Sequence, residues 1–369
     1  MGRSACAPAV QGIFGPVPVC GVSWAGKKRM EMRLLVTGGS GFIGTNLMGA
    51  YIPKGIPLLN LDWNPPLDPR QKAYWTKADI LDQDEVRRIF TEFAPTHVVH
   101  LAARADTDEK EDMRGYLQNH EGTRRLLEVI KESPSVRHTI ITSTQFVCEA
   151  GYQPKDDEDH KPFTLYGESK RLTEVYTREA GLSSAWTIIR PTTIWGPFSL
   201  RYRDIMFKVM RKGLYFHPGK QIVVRSYGYV GNVVWQIEQM LKAPREKVDR
   251  RVFYVGDPPV DLKVWVDLIS RELTGRPVRF IPTWAVRAIA LFGDLLKVVR
   301  IPFPITTGRY RSMTSDYITP MDRTIEAFGP APYALPEAVK RTIAWYRNGS
   351  ERIIAHTLKD VRQLEQGTV

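Results

Sequence analysis

Tyr166 and Lys170 stand four residues apart in the run Tyr166-Gly167-Glu168-Ser169-Lys170. On a helix that spacing puts both side chains on one face. An ammonium beside a phenol favours the phenolate and lowers its pKa from about 10. A tyrosine tuned in this way can exchange a proton with a hydroxyl or carbonyl near neutral pH. The pair alone is weak, since a surface tyrosine next to a solvated lysine has the same spacing. Its place in the chain gives it weight. A glycine-rich run, Thr37-Gly38-Gly39-Ser40-Gly41-Phe42-Ile43-Gly44, comes first, then Ser143-Thr144, then Tyr166 and Lys170.

Gly38, Gly41 and Gly44 are spaced as G-x-x-G-x-x-G between a strand-like run and a helix-like run. In such a turn the first glycine makes the tight bend, the second lets the backbone approach a pyrophosphate, and the third lets helix pack on strand. Amides at the helix start then face the anion. Asp62 ends the next strand, about 20 residues on, as the dinucleotide fingerprint asks. A carboxylate there accepts from both hydroxyls of an adenosine ribose and repels a 2′-phosphate, so NAD is expected over NADP. The plain alternative for Asp62 is a turn cap. Asp79-Ile80 follows a short strand and is placed to read an adenine edge.

These residues need a scaffold. Apolar runs at 32–37, 56–61, 96–101, 136–142 and 186–190 read as strands. Helical periodicity covers 42–50, 82–93, 112–132 and 165–180. The alternation predicts an α/β fold, a doubly wound Rossmann sheet that is mainly parallel, with its ligand crevice at the carboxyl ends of the strands. Past Pro191 the pattern loosens. A strand over 251–256 returns to the sheet, and helices are expected over 261–274 and 335–346. The expected organisation is therefore an extension over 1–30, an NAD-binding domain over 31–190 completed by strands near 225–255, a smaller α/β substrate lobe over 191–350, and a charged tail over 351–369.

The 369 residues are 43% hydrophobic and 25% charged, with a formal net charge of +12. That suits a packed globular chain whose cations serve solubility or an anionic partner. No basic block interleaves with aromatics, so no nucleic-acid partner is expected. Cys6, Cys20 and Cys148 form neither a disulfide framework nor a metal pattern, which suits a reducing cytoplasm. The histidines show no metal-ligand spacing, so no metal is expected, and the acidic run Asp156-Asp157-Glu158-Asp159 reads as a solvated loop. The extension lacks charge between Arg3 and Lys27 and is interrupted by prolines. It reads as disordered and foreign to the fold, with Met30 or Met32 as the natural start.

With these residues in place, the chain resembles the extended short-chain dehydrogenase/reductase family, in its nucleotide-sugar epimerase/dehydratase branch. The resemblance rests on the glycine run, Asp62, Asp79-Ile80, His100-Leu101-Ala102-Ala103, Asn119 with Gly122-Thr123, Ser143-Thr144, Tyr166 to Lys170, and Arg190-Pro191 with Trp195-Gly196-Pro197. It covers roughly 32–200 and fades through 200–350. It implies a general base at Tyr166, a pKa-lowering and ribose-binding lysine at Lys170, and a hydroxyl at Thr144 that bonds the reacting oxygen. For NAD it implies Gly38, Gly41, Phe42, Ile43 and Gly44 in the turn, Asp62 on the ribose, and Asp79 with Ile80 at the adenine. Leu101, Ala102 and Ala103 form the wall beside the cofactor, with Asn119 and Pro191 completing the set. For substrate it implies Ser143, Thr144, Thr193 and Arg225, the last on a diphosphate. The family's dehydratases carry an acidic pair after the threonine; Gln145 and Phe146 stand there, which argues against dehydration.

The leading expectation is hydride transfer at a hydroxyl-bearing carbon of a nucleotide sugar, as epimerase or dehydrogenase, by a homodimer. A second is a sterol or lipid-alcohol dehydrogenase at a membrane surface, motivated by the apolar segment 284–300 with its fringe of Arg287, Lys297 and Arg300. A third is a non-catalytic NAD-binding sensor, against which the intact Thr144, Tyr166 and Lys170 set argues.

Overall fold

Aliphatic runs bounded by glycine, proline and small polar residues become the strands of one sheet. The computed structural model describes residues 32–107, 109, 111–298, 303 and 305–348, with short stretches at 11–12 and 15–16. The rest of the expected extension, the charged tail, and Val299 and Arg300 lie outside the described residues.

The first half alternates strand and helix: β1 (Leu34–Thr37), α1 (Phe42–Tyr51), β2 (Leu58–Asp62), β3 (Trp75–Lys77), α2 (Gln83–Phe93), β4 (His97–His100), α3 (Leu117–Glu132), β5 (His138–Thr142), α4 (Leu165–Glu179) and β6 (Ala185–Pro191). Then come β7 (Thr193–Trp195), β8 (Phe216–Pro218), β9 (Val224–Arg225), β10 (Tyr227–Tyr229), α5 (Val230–Lys242) and β11 (Arg251–Val255). The chain continues through β12 (Val260–Asp261), α6 (Leu262–Thr274), β13 (Arg279–Ile281), α7 (Thr283–Val298), α8 (Thr307–Thr314), α9 (Asp322–Phe328) and α10 (Leu335–Arg347). Seven strands form the main sheet in the order β11-β6-β5-β4-β1-β2-β3, and every pair is parallel. Because β1 pairs with β2 on one side and β4 on the other, the strand order reverses there. That reversal opens the crevice in which such sheets bind ligands.

Both faces of the sheet are covered, so its strands are apolar throughout. Leu35, Val98, Ile141 and Ile188 point to the side packed by α2 and α3. Leu34, Val36, Val99, Ile140 and Ile189 point to the other, against α1 and α5. Each such side chain contributes about 1.5–3 kcal/mol by leaving water. A separate core builds around Trp195, Trp265, Val266, Ile269 and Ile343, joining β7, α6 and α10. Helix α5 is absent from the sequence reading, although its Val233, Val234, Ile237 and Met240 are spaced for one covered face.

Helix α4 is fixed to the sheet by charge as well as by packing. Glu174, fully buried on α4, accepts from Arg190 Nε and Nη2, both at 2.8 Å, from Ser143 Oγ at 2.6 Å and from Arg178 Nη1 at 3.2 Å, and lies 3.0 Å from His160 Nε2. Arg190 lies on β6 and is equally buried. Burial alone would raise the Glu174 carboxyl's pKa, but the guanidinium of Arg190 and its hydrogen bonds outweigh that and hold it well below the usual range. Replacing Arg190 by methionine strands a buried carboxylate. Arg190→Met should therefore lower unfolding free energy by about 3–5 kcal/mol, read as a lower urea midpoint. A loss within about 0.5 kcal/mol, the range of an ordinary surface change, would show that the pair does not anchor α4.

Candidate active site

The glycine turn follows β1 directly. Gly38 has φ +73°, and a Cβ there would lie 2.4 Å from the Ala102 amide nitrogen. Only glycine lets β1 and the strand-end segment Leu101-Ala102-Ala103 approach this closely. At Gly44 a Cβ would come within 2.2 Å of the Gly38 carbonyl oxygen, so α1 can start on top of the turn. Gly41 differs: its Cβ would meet only that same oxygen, at 3.2 Å. The open side of Gly41, at the N-terminus of α1, fits a pyrophosphate approaching the backbone. Phe42 and Ile43, next in the helix, are partly buried against the cores.

Asp62 ends β2 beside this turn. Its Oδ2 accepts from the Ser40 amide at 3.0 Å and its Oδ1 from the Asn64 amide at 2.9 Å. Desolvation raises its pKa, and those hydrogen bonds oppose the rise. The carboxylate is held at the crevice rim by backbone donors, with acceptor capacity left on both oxygens. Asp79 Oδ1 accepts from the Leu81 amide at 2.9 Å, and Ile80 lies under α3, its Cγ2 placed 2.7 Å from where a Cβ on Gly122 would stand.

Local capping sets where Tyr166 sits. Thr164 Oγ1 accepts from the Gly167 amide at 3.0 Å and starts α4, so Tyr166 falls in the first turn and Lys170 one turn later. Gly167 completes the placement. A Cβ there would lie 2.3 Å from the Phe146 carbonyl oxygen, so the start of α4 rests on the Thr144–Phe146 loop. Tyr166 and Thr144 consequently share a side-chain hydrogen bond. Phe146 meets the Tyr166 ring edge-on, with centroids 6.2 Å apart.

Electrostatics depart from the sequence expectation at one point. Burial pushes the Tyr166 phenol up to about 12, the Thr144 hydrogen bond lowers it, and Tyr116 adds to the rise. Lys170 does not act on it. Its ammonium donates to the Thr142 carbonyl at 2.8 Å, and burial brings its own pKa down to about 7, opposed by the Glu174 carboxylate. Desolvation thus outweighs the expected phenol-lysine pairing. His100 is buried and pushed down to about 3, first by burial and then by the Lys170 charge. It links Thr37 on β1, 2.6 Å away, to Thr123 on α3, 2.9 Å away.

Two residues expected at ligands also make hydrogen bonds within the protein. Ser143 donates its hydroxyl to Glu174 and belongs to the buried charge cluster. Asn119 accepts from the Arg104 amide at 2.8 Å and donates to the Arg104 carbonyl and to Ser169 Oγ, both at 2.9 Å. With both amide hydrogens used, it ties the loop after β4 to α4. Pro191 closes β6, and Thr193, on β7, accepts from Gln145 Nε2 at 3.0 Å.

Arg225 lies on β9, away from the glycine turn. Its Nη1 donates to the Ser315 carbonyl at 3.0 Å, and its guanidinium stands 5.4 Å from the centre of the Tyr317 ring. Tyr317 in turn stacks on Phe146 and donates to the carbonyls of Gln145 or Cys148, at 3.0 and 2.8 Å. No motif marks Tyr317, yet it joins Arg225 through Phe146 to Tyr166. Arg201 and Arg309 act with Arg225 on the half-buried Tyr202, whose phenol desolvation and Tyr227 raise and the three cations lower.

A family model for the NAD-dependent epimerase/dehydratase family matches residues 34–256. The chain belongs to that family. NAD is its cofactor and it is an NAD-dependent enzyme of the epimerase/dehydrogenase kind. A relative in Escherichia coli O157:H7, N-acetyl-alpha-D-glucosaminyl-diphospho-ditrans,octacis-undecaprenol 4-epimerase, is 27% identical over 86% of this chain and 96% of its own. UDP-glucuronate 4-epimerase 5 of Arabidopsis thaliana is 29% identical over 55% of this chain and 52% of its own. Among solved structures, UDP-glucose 4-epimerase of Thermotoga maritima superposes with a TM-score of 0.64 at 23% identity, covering 86% of this chain and 99% of the other. The Bordetella bronchiseptica enzyme WbmG, with NAD and UDP, gives 0.65 at 21%, covering 88% and 96%. These structures share the fold.

The depressed pKa of Lys170 has a stability consequence. Between about 7 and the ordinary lysine value near 10.4, the unfolded chain holds a proton here that the folded chain does not. Stability should therefore rise with pH across that window. Comparing urea midpoints at the two ends, the native chain should gain on the order of a few kcal/mol relative to Lys170→Met. Equal pH slopes in the two proteins would contradict the burial-driven shift.

Proposed function

We propose that the protein epimerises a hydroxyl-bearing carbon of a diphosphate-linked sugar, a nucleotide sugar in the first instance. The observation that carries this is the meeting of Tyr166 and Thr144, on a loop that Tyr317 connects to Arg225. The two relatives named above act on a diphosphate-linked sugar and a nucleotide sugar, which supports the same substrate class. NAD, when bound, reversibly accepts hydride from the substrate carbon.

The chain's residues supply position and proton handling. The turn from Gly38 to Gly44 and Asp62 would hold the dinucleotide. Thr144 orients the reacting hydroxyl, and Tyr166 Oη takes its proton and gives it back. At neutral pH burial keeps that phenol protonated, which suits return of the proton to a ketone oxygen. To act as base, it needs the Lys170 ammonium to turn from the Thr142 carbonyl toward it. Arg225, with Arg201 and Arg309, would grip the diphosphate while the sugar turns over, since a guanidinium fork matches phosphate oxygens. Gln145 and Phe146 offer no acid for expelling a hydroxyl, so dehydration is not part of this reading. Residues 191–350 supply most of the substrate side, and residues 31–190 most of the cofactor side.

The reading includes a cytoplasmic homodimer paired through α3 and α4, with peripheral membrane contact. Among the described residues no helix is long and apolar enough to cross a membrane.

The test is to incubate the purified protein with UDP-, GDP- and dTDP-sugars and to resolve epimers chromatographically. Tyr166→Phe should lower turnover by about 10²–10⁴-fold, with NAD affinity retained in a fluorescence titration. Arg225→Met should act chiefly through a higher KM. Stoichiometric NADH release would instead assign a dehydrogenase, and full activity in Tyr166→Phe would sink the mechanism.

A further inference from the structure

Helix α7 turns its large apolar residues outward. Its inner face is small: Val286 and Ala290 are buried, and a Cβ on Gly293 would lie 2.0 Å from the Ile305 carbonyl oxygen. Its outer face carries Trp284, Leu291, Phe292 and Leu295, which are 74, 57, 54 and 62% exposed. Positions 284, 288, 291 and 295 recur at helical spacing and form one stripe. The buried contacts of α7, at Val286, Ala290 and Gly293, lie on the opposite side.

The surroundings extend the patch and make it basic. Thr283 Oγ1 donates to Gln221 Oε1 at 3.4 Å, which sets Lys220 and the exposed Ile222 beside the start of α7. β13 leads into the helix with exposed Arg279 and Phe280, and it pairs with β8, where Phe216 is exposed. Arg287 flanks the stripe on α7 itself. Among the described residues none of Lys220, Arg279 and Arg287 forms an ion pair. No acidic residue occurs in the sequence between Asp204 and Glu238, between Glu272 and Asp294, or between Asp294 and Asp316. Asp294 faces inward, accepting from Thr307.

We propose that this face seats the protein on an anionic phospholipid bilayer. The α7 stripe lies in the acyl boundary, and Lys220, Arg279 and Arg287 lie at the level of the lipid phosphates. The charge pattern chooses this occupant. A second copy would set cations against cations with no carboxylate between them. A nucleic acid would match the cations but leave the aliphatic stripe in water.

The experiment is co-sedimentation of the full chain with vesicles of phosphatidylglycerol and phosphatidylcholine, or of phosphatidylcholine alone, at low and high salt. The protein should pellet with the anionic vesicles, less so with neutral ones, and less as salt rises. Leu291→Glu/Leu295→Glu should weaken partitioning by about tenfold or more, because two apolar groups leave the acyl boundary. Arg279→Glu/Arg287→Glu should do the same through charge alone, and it serves where the first variant fails to fold. Tyr166→Phe should bind as the native chain does, which separates this result from the fate of the catalytic reading. The proposal is overturned if the native chain stays in the supernatant, if both patch variants pellet normally, or if the protein is a dimer that Leu291→Glu/Leu295→Glu converts to monomer.

Discussion

A carboxylate and a guanidinium, both removed from water, decide where Tyr166 can be. Glu174 stands one helical turn beyond Lys170, and Arg190 occupies β6 beneath it. Their two-pronged contact, with Ser143 and His160 attached, joins α4 to β5, to β6 and to the loop before the helix. Charges at zero exposure are tolerated only when every lone pair finds a donor, and a helix that slid or rotated would break several such bonds together. Apolar packing is more forgiving of a small slide. The α4 register, and with it the direction of Tyr166, is therefore set more sharply by this cluster than by the surrounding valines and isoleucines.

The same burial shapes the proton chemistry. Tyr166 is pushed up to about 12 and Lys170 down to about 7, so burial works against charge on both groups. Two neutral partners a turn apart cost less in a dry pocket than a phenolate and an ammonium that do not touch. Lys170 rests on the Thr142 carbonyl, the last of β5, rather than on the phenol. His100, the third ionisable group nearby, is kept neutral and serves as a strut between β1 and α3.

Much of this was legible in the sequence where the signal is local. The glycine turn, Asp62 after β2, and the Tyr166–Lys170 spacing each depend on residues within one strand-turn-helix unit, and such units carry their own periodicity and caps. What the sequence hid depends on distant partners. Glu174 looks like one more exposed helix acid until β6 places Arg190 against it. Gly167 looks incidental until the Phe146 carbonyl arrives 2.3 Å from its missing Cβ. Asn119 and Ser143 carry residue types suited to ligand contact, and their links to Arg104, Ser169 and Glu174 appear only once the chain is folded. Tyr317 could not be found from sequence, because it lies 172 and 169 residues from its partners Gln145 and Cys148 and no periodic pattern marks it.

The net charge of +12 acquires a location that composition alone could not give it. Along α2 and α3, arginines are matched by glutamates three and four residues away, as in Arg88 with Glu85 and Glu92 and Arg124 with Glu121 and Glu128. Such exposed pairs add little stability, but they leave that face electrically quiet. Surplus cations fall instead in the acid-free stretches between Asp204 and Glu238, between Glu272 and Asp294, and between Asp294 and Asp316. Those stretches also expose Ile222, Trp284, Leu291, Phe292 and Leu295. Solubility would be served by spreading the cations evenly and turning Trp284 and Leu295 inward. Their concentration on one apolar face, next to the arginines gathered around Tyr202, is the arrangement expected of a protein that meets its anions at a surface.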